Sequence, residues 1–267
     1  MVPVYISTSP DGRTQVSYNS AATDHVTAQV HANDILSHAN AINSFCDTQF
    51  GVSSDTNDAA YVLVCDLAET AALGAHDVGT WGTLSAQQLD IAYVLPYFMT
   101  GAFSSALLYA AEFSEIYMGT TRGADALGQA ASEYMMIALG PTSFGLTYPQ
   151  FNAYANKVAW WRLGGPGGGG EADFTSSPVG PDIVPTTNWI GCNLAVISYM
   201  IHKKGATFAQ IVQAMCASDA QAGINLLPLM SRVYEIVVGQ KFNFSTFQAD
   251  FGALTFPTTI TDDPFAA

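Results

Sequence analysis

Two glutamates, Glu112 and Glu115, stand three residues apart in the run Ser104 to Met118 (SSALLYAAEFSEIYM), which is otherwise almost entirely apolar. The spacing of its apolar residues predicts a helix, and positions i and i+3 share a helix face. Two carboxylates therefore project together from an element that should be mostly buried. A third, Glu133, lies in the next predicted helix, 124 to 139, flanked by Ala130, Ala131, Tyr134, Met135 and Met136. Three carboxylates on adjacent apolar helices have the hard oxygen ligands that a divalent metal ion takes. They equally suit proton transfer between groups whose surroundings separate their pKa values. The competing structural explanation is an exposed face, a helix cap or pairing with Arg122, since perturbed carboxylates also occur in structural networks.

Other residues offer weaker chemistry. His76-Asp77 precedes Trp81 in a glycine-broken stretch, Leu73 to Gly82, read as a loop in which histidine would serve as base or ligand. His31 and His38 share a helix face but stand about 10 Å apart along the axis, too far for one metal ion; with His25 and His202 they read as solvated or capping residues. Trp160-Trp161 close a predicted helix and offer stacking surfaces for sugars or polymers, although core packing is the commoner use of tryptophan. The run Gly164 to Gly170 (GGPGGGG) matches neither of the glycine-rich phosphate-binding patterns. It reads as a flexible loop. Neither HExxH nor GxSxG is present.

The elements that must position these residues follow from periodicity and turn chemistry. Val4–Ser7 and Gln15–Tyr18 read as short strands around the turn Ser9-Pro10-Asp11-Gly12. A long helix, 24 to 50, is predicted from apolar positions including Val26, Val30, Ile35 and Ile42, and Gly51 ends it. Ala60–Leu67 is a continuous β-prone run, the pattern of a strand buried on both faces, and Ile91–Leu95 reads as another strand. Helices are expected over 148–162, 189–203, 207–216, 226–238 and 245–251. Together these predict an α+β fold in one domain, 1–267. Residues 1–100 are expected to be mixed α/β, with a small N-terminal sheet. Residues 101–267 are expected to be predominantly helical, with a Gly-rich loop at 164–185.

Composition narrows the function. Hydrophobic residues make up 49% of the 267 and charged residues only 11%, against roughly 25% charged in ordinary soluble domains. With 22 acids against 8 bases, the net charge is −14; the basic footprint of a nucleic-acid binder is missing. No apolar run approaches the ~20 residues of a membrane span. Polar sequence rather than a signal peptide follows Met1-Val2-Pro3; the expected form is a mature extracellular or periplasmic protein, with a leaderless protein as the alternative. Four cysteines, Cys46, Cys65, Cys192 and Cys216, lack CxxC spacing. Their even number favours one or two disulfides over a zinc knuckle, with buried free thiols as the alternative.

The segment Asn188-Trp189-Ile190-Gly191-Cys192-Asn193, continuing to Met215, resembles one in a group of secreted bacterial proteins: an N-x-x-GC start opens an apolar helix, and a glycine turn leads to a second helix. The order of Ala111-Glu112-Phe113-Ser114-Glu115 and then Glu133 is also similar to zincin metallopeptidases such as the basic secretory proteins. There HExxH on one helix precedes a second helix bearing a glutamate. The resemblance implies a zincin-like fold, with Glu112 at the general-base position and Glu133 as the downstream acid. Ala111 and Glu115 stand where the two zinc histidines would be, so a zinc peptidase mechanism is not implied.

Three expectations follow. The first is a secreted pseudoenzyme with a binding or structural role. The second is a glycosidase-like hydrolase with Glu112, Glu115 and Glu133 as candidate acid and base, and with His76, Trp81, Trp160 and Trp161 as candidate binding residues. The third is a self-assembling extracellular subunit, favoured by few charges and many aromatics. The corresponding partners are a polysaccharide or small molecule, or a second copy of the chain. A divalent metal ion at the glutamate cluster is the one candidate cofactor.

Overall fold

The computed structural model describes residues 3–19, 25–51, 60–66, 74–81, 84–93, 105–118, 126–146, 157–163, 171–175, 187–222, 229–254 and 261–266. Among the described residues the fold is helix-dominated, with one sheet of five strands. It comprises two compact units that interleave along the chain. The first takes 1–48, 52–117 and 138–149; the second takes 49–51, 118–137 and 150–267.

The first unit starts with a hairpin, β1 (Pro3–Thr8) and β2 (Thr14–Asn19). Its turn forms as the sequence dictates: the Gly12 N–H donates to the Ser9 carbonyl at 2.8 Å, and Gly12 takes φ +76°, where a side chain would be strained. Helix α1 (His25–Phe50) then crosses to β3 (Ala60–Asp66), which pairs parallel to β2. Strand β4 (Gly74–Trp81) and strand β5 (Leu84–Tyr93) complete the sheet in the order β1-β2-β3-β5-β4. β5 is parallel to β3, and β4 is antiparallel to β5. Central β3, with parallel neighbours on both sides, accounts for the unbroken apolar run at Ala60.

Two expectations change here. The stretch around His76, Asp77 and Trp81 is strand β4 rather than a loop, in register from Gly74 opposite Ile91 to Trp81 opposite Leu84. Glycine weakens a strand locally, but a full ladder with β5 overrides that preference, and β4 is an end strand. In α1 the buried stripe is Ala28, Ala32, Ile35, Ala39, Ile42 and Cys46, whereas Val30 is 62% exposed. Alternating steps of three and four follow one face, and Val30 lies off it.

Helix α2 (Ser105–Met118) is held at its first turn by α1. Asp34 Oδ2 accepts the Ala106 N–H at 3.0 Å, and His31 Nδ1 lies 2.5 Å from Ser105 Oγ. A carboxylate there satisfies an otherwise orphaned donor and complements the positive end of the helix dipole.

The second unit is helical. Its members are α3 (Ala126–Tyr134), which runs on into a π-helical turn at Met135–Leu139, α5 (Lys157–Leu163) and α6 (Thr187–Lys204). They are joined by α7 (Phe208–Ala222), α8 (Met230–Val238) and α9 (Phe244–Gly252). Between α3 and α5 comes the short α4 (Gly140–Phe144), which belongs to the first unit. Helix α6 is the axis of the second unit: Ile190 to Met200 are buried without a break, and α3, α5, α7 and α8 pack on it. Gly191 lets α5 approach, for a Cβ there would lie 1.9 Å from the Lys157 carbonyl oxygen. The apolar core is aromatic: Trp161, Tyr199, Phe247, Phe251 and Phe265 pack ring against ring.

The expected disulfides do not form at Cys46, Cys192 or Cys216. Cys46 and Cys192 are buried thiols, neither of them in a disulfide. Each of those two serves as a small hydrophobe in its unit's core, and burial pushes both thiols up from the ordinary range. Among the described residues, no helix is long and apolar enough to cross a membrane.

Candidate functional site

On α2 the two glutamates differ in setting. Glu115 is buried at 3% exposure, whereas Glu112 is half-buried. Tyr109, Phe113 and Tyr117 form a stripe at spacing four, and at ~100° per residue Glu115 falls on the opposite face. The residues sharing that opposite face, Ala111, Ser114 and Met118, are buried as well.

The tyrosine stripe meets a polar network that joins the hairpin to α1. The Tyr109 hydroxyl donates to Asn43 Oδ1 at 2.6 Å and lies 2.8 Å from Thr14 Oγ1. Asn43 Nδ2 donates to Asp11 Oδ2 at 2.9 Å. Arg13 donates to Asp47 at 2.8 Å and to the Tyr117 hydroxyl at 2.6 Å, with its guanidinium 5.7 Å from the centre of the Phe113 ring. Burial opposes charge on Asp11, but hydrogen bonds from Ser9, Asn43 and the Arg13 N–H, with the Arg13 charge, hold its carboxyl below the ordinary range. Burial pushes the Tyr109 phenol up. This network ties α2 to the hairpin and to α1.

A second polar cluster lies in the other unit, around Glu133. The Lys157 ammonium, on the first residue of α5, is paired with Glu133 Oε2. Asp262, from the C-terminal segment 261–266, caps α5 by accepting the Val158 N–H at 2.8 Å. Burial raises the Asp262 carboxyl to about 7, helped by the negative charge of Glu133; the N–H of Val158 and the charge of Lys157 work the other way.

The neighbouring Asp263 accepts the Ser198 hydroxyl at 2.5 Å and the Tyr134 hydroxyl at 3.3 Å, and faces His202 Nε2 at 3.1 Å. Burial, with the adjacent Asp263, pushes the Tyr134 phenol up. Ser, His and Asp are all present, but in the wrong order for nucleophilic catalysis. The buried Ser198 hydroxyl donates to the aspartate rather than to the histidine, and it accepts the Phe265 N–H at 3.0 Å.

The chain matches no family model, no curated protein and no solved structure.

The remaining candidates divide as follows. Trp161 is fully buried, its indole N–H bonded to the Ala172 carbonyl at 2.9 Å, so its ring faces are core surface. Trp160 is half-buried. His76 and Trp81 take positions on β4, and their side-chain surroundings lie outside the described residues, as does all of the Gly164–Gly170 run. His38 Nδ1 lies 2.8 Å from the Asp34 carbonyl oxygen within α1. Among the described residues no three His, Cys, Asp or Glu side chains are grouped to hold a metal ion. Lys157, Ser198, His202, Asp262 and Asp263 were not legible as a cluster. The one available signal was the adjacent pair Asp262-Asp263 before Pro264-Phe265, acids next to a core-seeking ring.

Proposed function

We propose that this chain is a secreted, non-peptidase protein on a degenerate metallopeptidase-like scaffold, with a binding or structural role. The observation that carries the reading is on α2. Around Glu112, at the general-base position, the two places a zinc peptidase gives to histidine hold a buried alanine and a buried glutamate. Alanine has no ligand atom, and one carboxylate does not replace two imidazoles in a tetrahedral site. Further support comes from the order of elements, with a motif helix after a mixed sheet and a later helix bearing Glu133. Glu133 is itself engaged by Lys157, in a structural ion pair. The test is a peptidase assay on zinc-supplemented protein and its Glu112→Gln variant. The reading expects no turnover from either. Turnover by the natural chain that Glu112→Gln abolishes overturns it.

A glycosidase-like reading is favoured by one observation, the unequal burial of Glu112 and Glu115 on one helix. Acid and base carboxyls of such enzymes need different surroundings. Hydrolysis of an oligosaccharide panel, lost in both Glu112→Gln and Glu115→Gln, would establish it; inertness toward the panel removes it.

A further inference from the structure

We infer that the C-terminal segment 261–266 is a proton-dependent clasp, closing on the helices of the second unit when it carries a proton and loosening as that proton leaves. The segment docks through three side chains. Asp262 reaches the first turn of α5, Asp263 sits between Tyr134 of α3 and Ser198 and His202 of α6, and Phe265 enters the aromatic core against Tyr199, Phe247 and Phe251. Two adjacent acids are thus carried into a largely buried place by one apolar anchor.

The groups facing them settle the sign. From α3 come Glu133 and the Tyr134 hydroxyl. From α5 come the Lys157 ammonium and the N–H groups of Lys157 and Val158. From α6 comes His202. Lys157 is one cation against the carboxylates of Glu133 and Asp262, and it is paired to Glu133. Closing the clasp therefore brings a second carboxylate to a buried site where Lys157, the neighbouring cation among the described residues, is already engaged by Glu133.

A released Asp262 titrates in the ordinary carboxyl range near 4, and a docked one near 7. Docking therefore takes up a proton between those values. Its stability is full below pH ~4, falls as the pH rises toward ~7, and levels off above that. Three decades between the two pKa values correspond to a fall of roughly a thousand-fold in the docking constant. Asp263 is held beside Asp262 by the Tyr134 and Ser198 hydroxyls and faces His202. The inference does not depend on the proposed function.

The experiment is hydrogen exchange of the full chain across about pH 4 to pH 8, corrected for intrinsic rates, read at the Phe265 amide. That amide donates to Ser198 in the closed state. Protection should fall steeply with pH in the natural chain and stay high and flat in Asp262→Asn, whose amide keeps the acceptor for Val158 without the charge. Flat protection in the natural chain overturns the inference, as does an unchanged slope in Asp262→Asn. Glu133→Gln supplies an independent arm should Asp262→Asn fail to fold. Removing the like charge must make the fall shallower, and an unchanged slope there also overturns the inference.

Discussion

Gly191→Ala sets two physical effects of opposite sign against each other. Gly191 lies inside helix α6. By intrinsic propensity alone, alanine in a helix interior is favoured over glycine by about 1 kcal/mol. Packing argues the other way. The new methyl would lie 1.9 Å from the Lys157 carbonyl oxygen, where ordinary contact begins at 3.4 Å, so the two atoms must separate by 3.4 − 1.9 = 1.5 Å. The obstacle is backbone at the first turn of α5, so no side chain can rotate away. Overpacking typically costs about 1–3 kcal/mol, and a backbone obstacle places this case near 3. The expected net loss is therefore about 2 kcal/mol. Moving α5 also pulls Lys157 from Glu133 and the Val158 N–H from Asp262. Urea unfolding followed by tryptophan fluorescence suits the test, because Trp161 and Trp189 both belong to the second unit. The midpoint should drop with the slope unchanged. A Gly191→Ala protein as stable as the natural chain, or more so, refutes the close approach of α5 to α6.

Other substitutions test the polar contacts. Lys157→Met leaves Glu133 buried beside Asp262 without its cation and should cost about 3 kcal/mol, the low end for a broken buried pair, because Lys157 keeps some solvent contact. Adding Glu133→Leu should restore most of that loss, and a double-mutant cycle in urea measures the coupling. Asp34→Ala removes the acceptor for the Ala106 N–H and should cost about 1 kcal/mol, as loss of a helix cap does; Asp34→Asn should cost less, which thermal melts of the two variants decide.

The backbone was more legible than the site. Turn chemistry at Ser9–Gly12 and the apolar run at Ala60 each place a strand to within about two residues, because both depend on local rules. The stretch from Gly74 to Trp81 was not legible, since its pairing with β5 is a property of the ladder rather than of its own residues. At the site, Glu133 was visible as a carboxylate out of place on an apolar helix. Its partners were not. Lys157 and Asp262 lie 24 and 129 positions further on, and no periodicity spans such intervals. Trp161 read as a candidate stacking surface with core packing as the commoner use, and the sequence could not decide between them. Its position opposite α9 in the aromatic core depends on tertiary packing.

The placement of the cysteines gives each compact unit its own internal clock. Cys46 lies in the first unit and Cys192 in the second, and both thiols are buried and held protonated. An alkylating reagent attacks only the thiolate, so each sulfur reacts only while the structure around it is open. The rate at Cys46 times the opening of the sheet-bearing unit, and the rate at Cys192 times that of the helical one. In a single sample, mapping labelled peptides over time would show whether the two halves of this interleaved chain breathe together or separately.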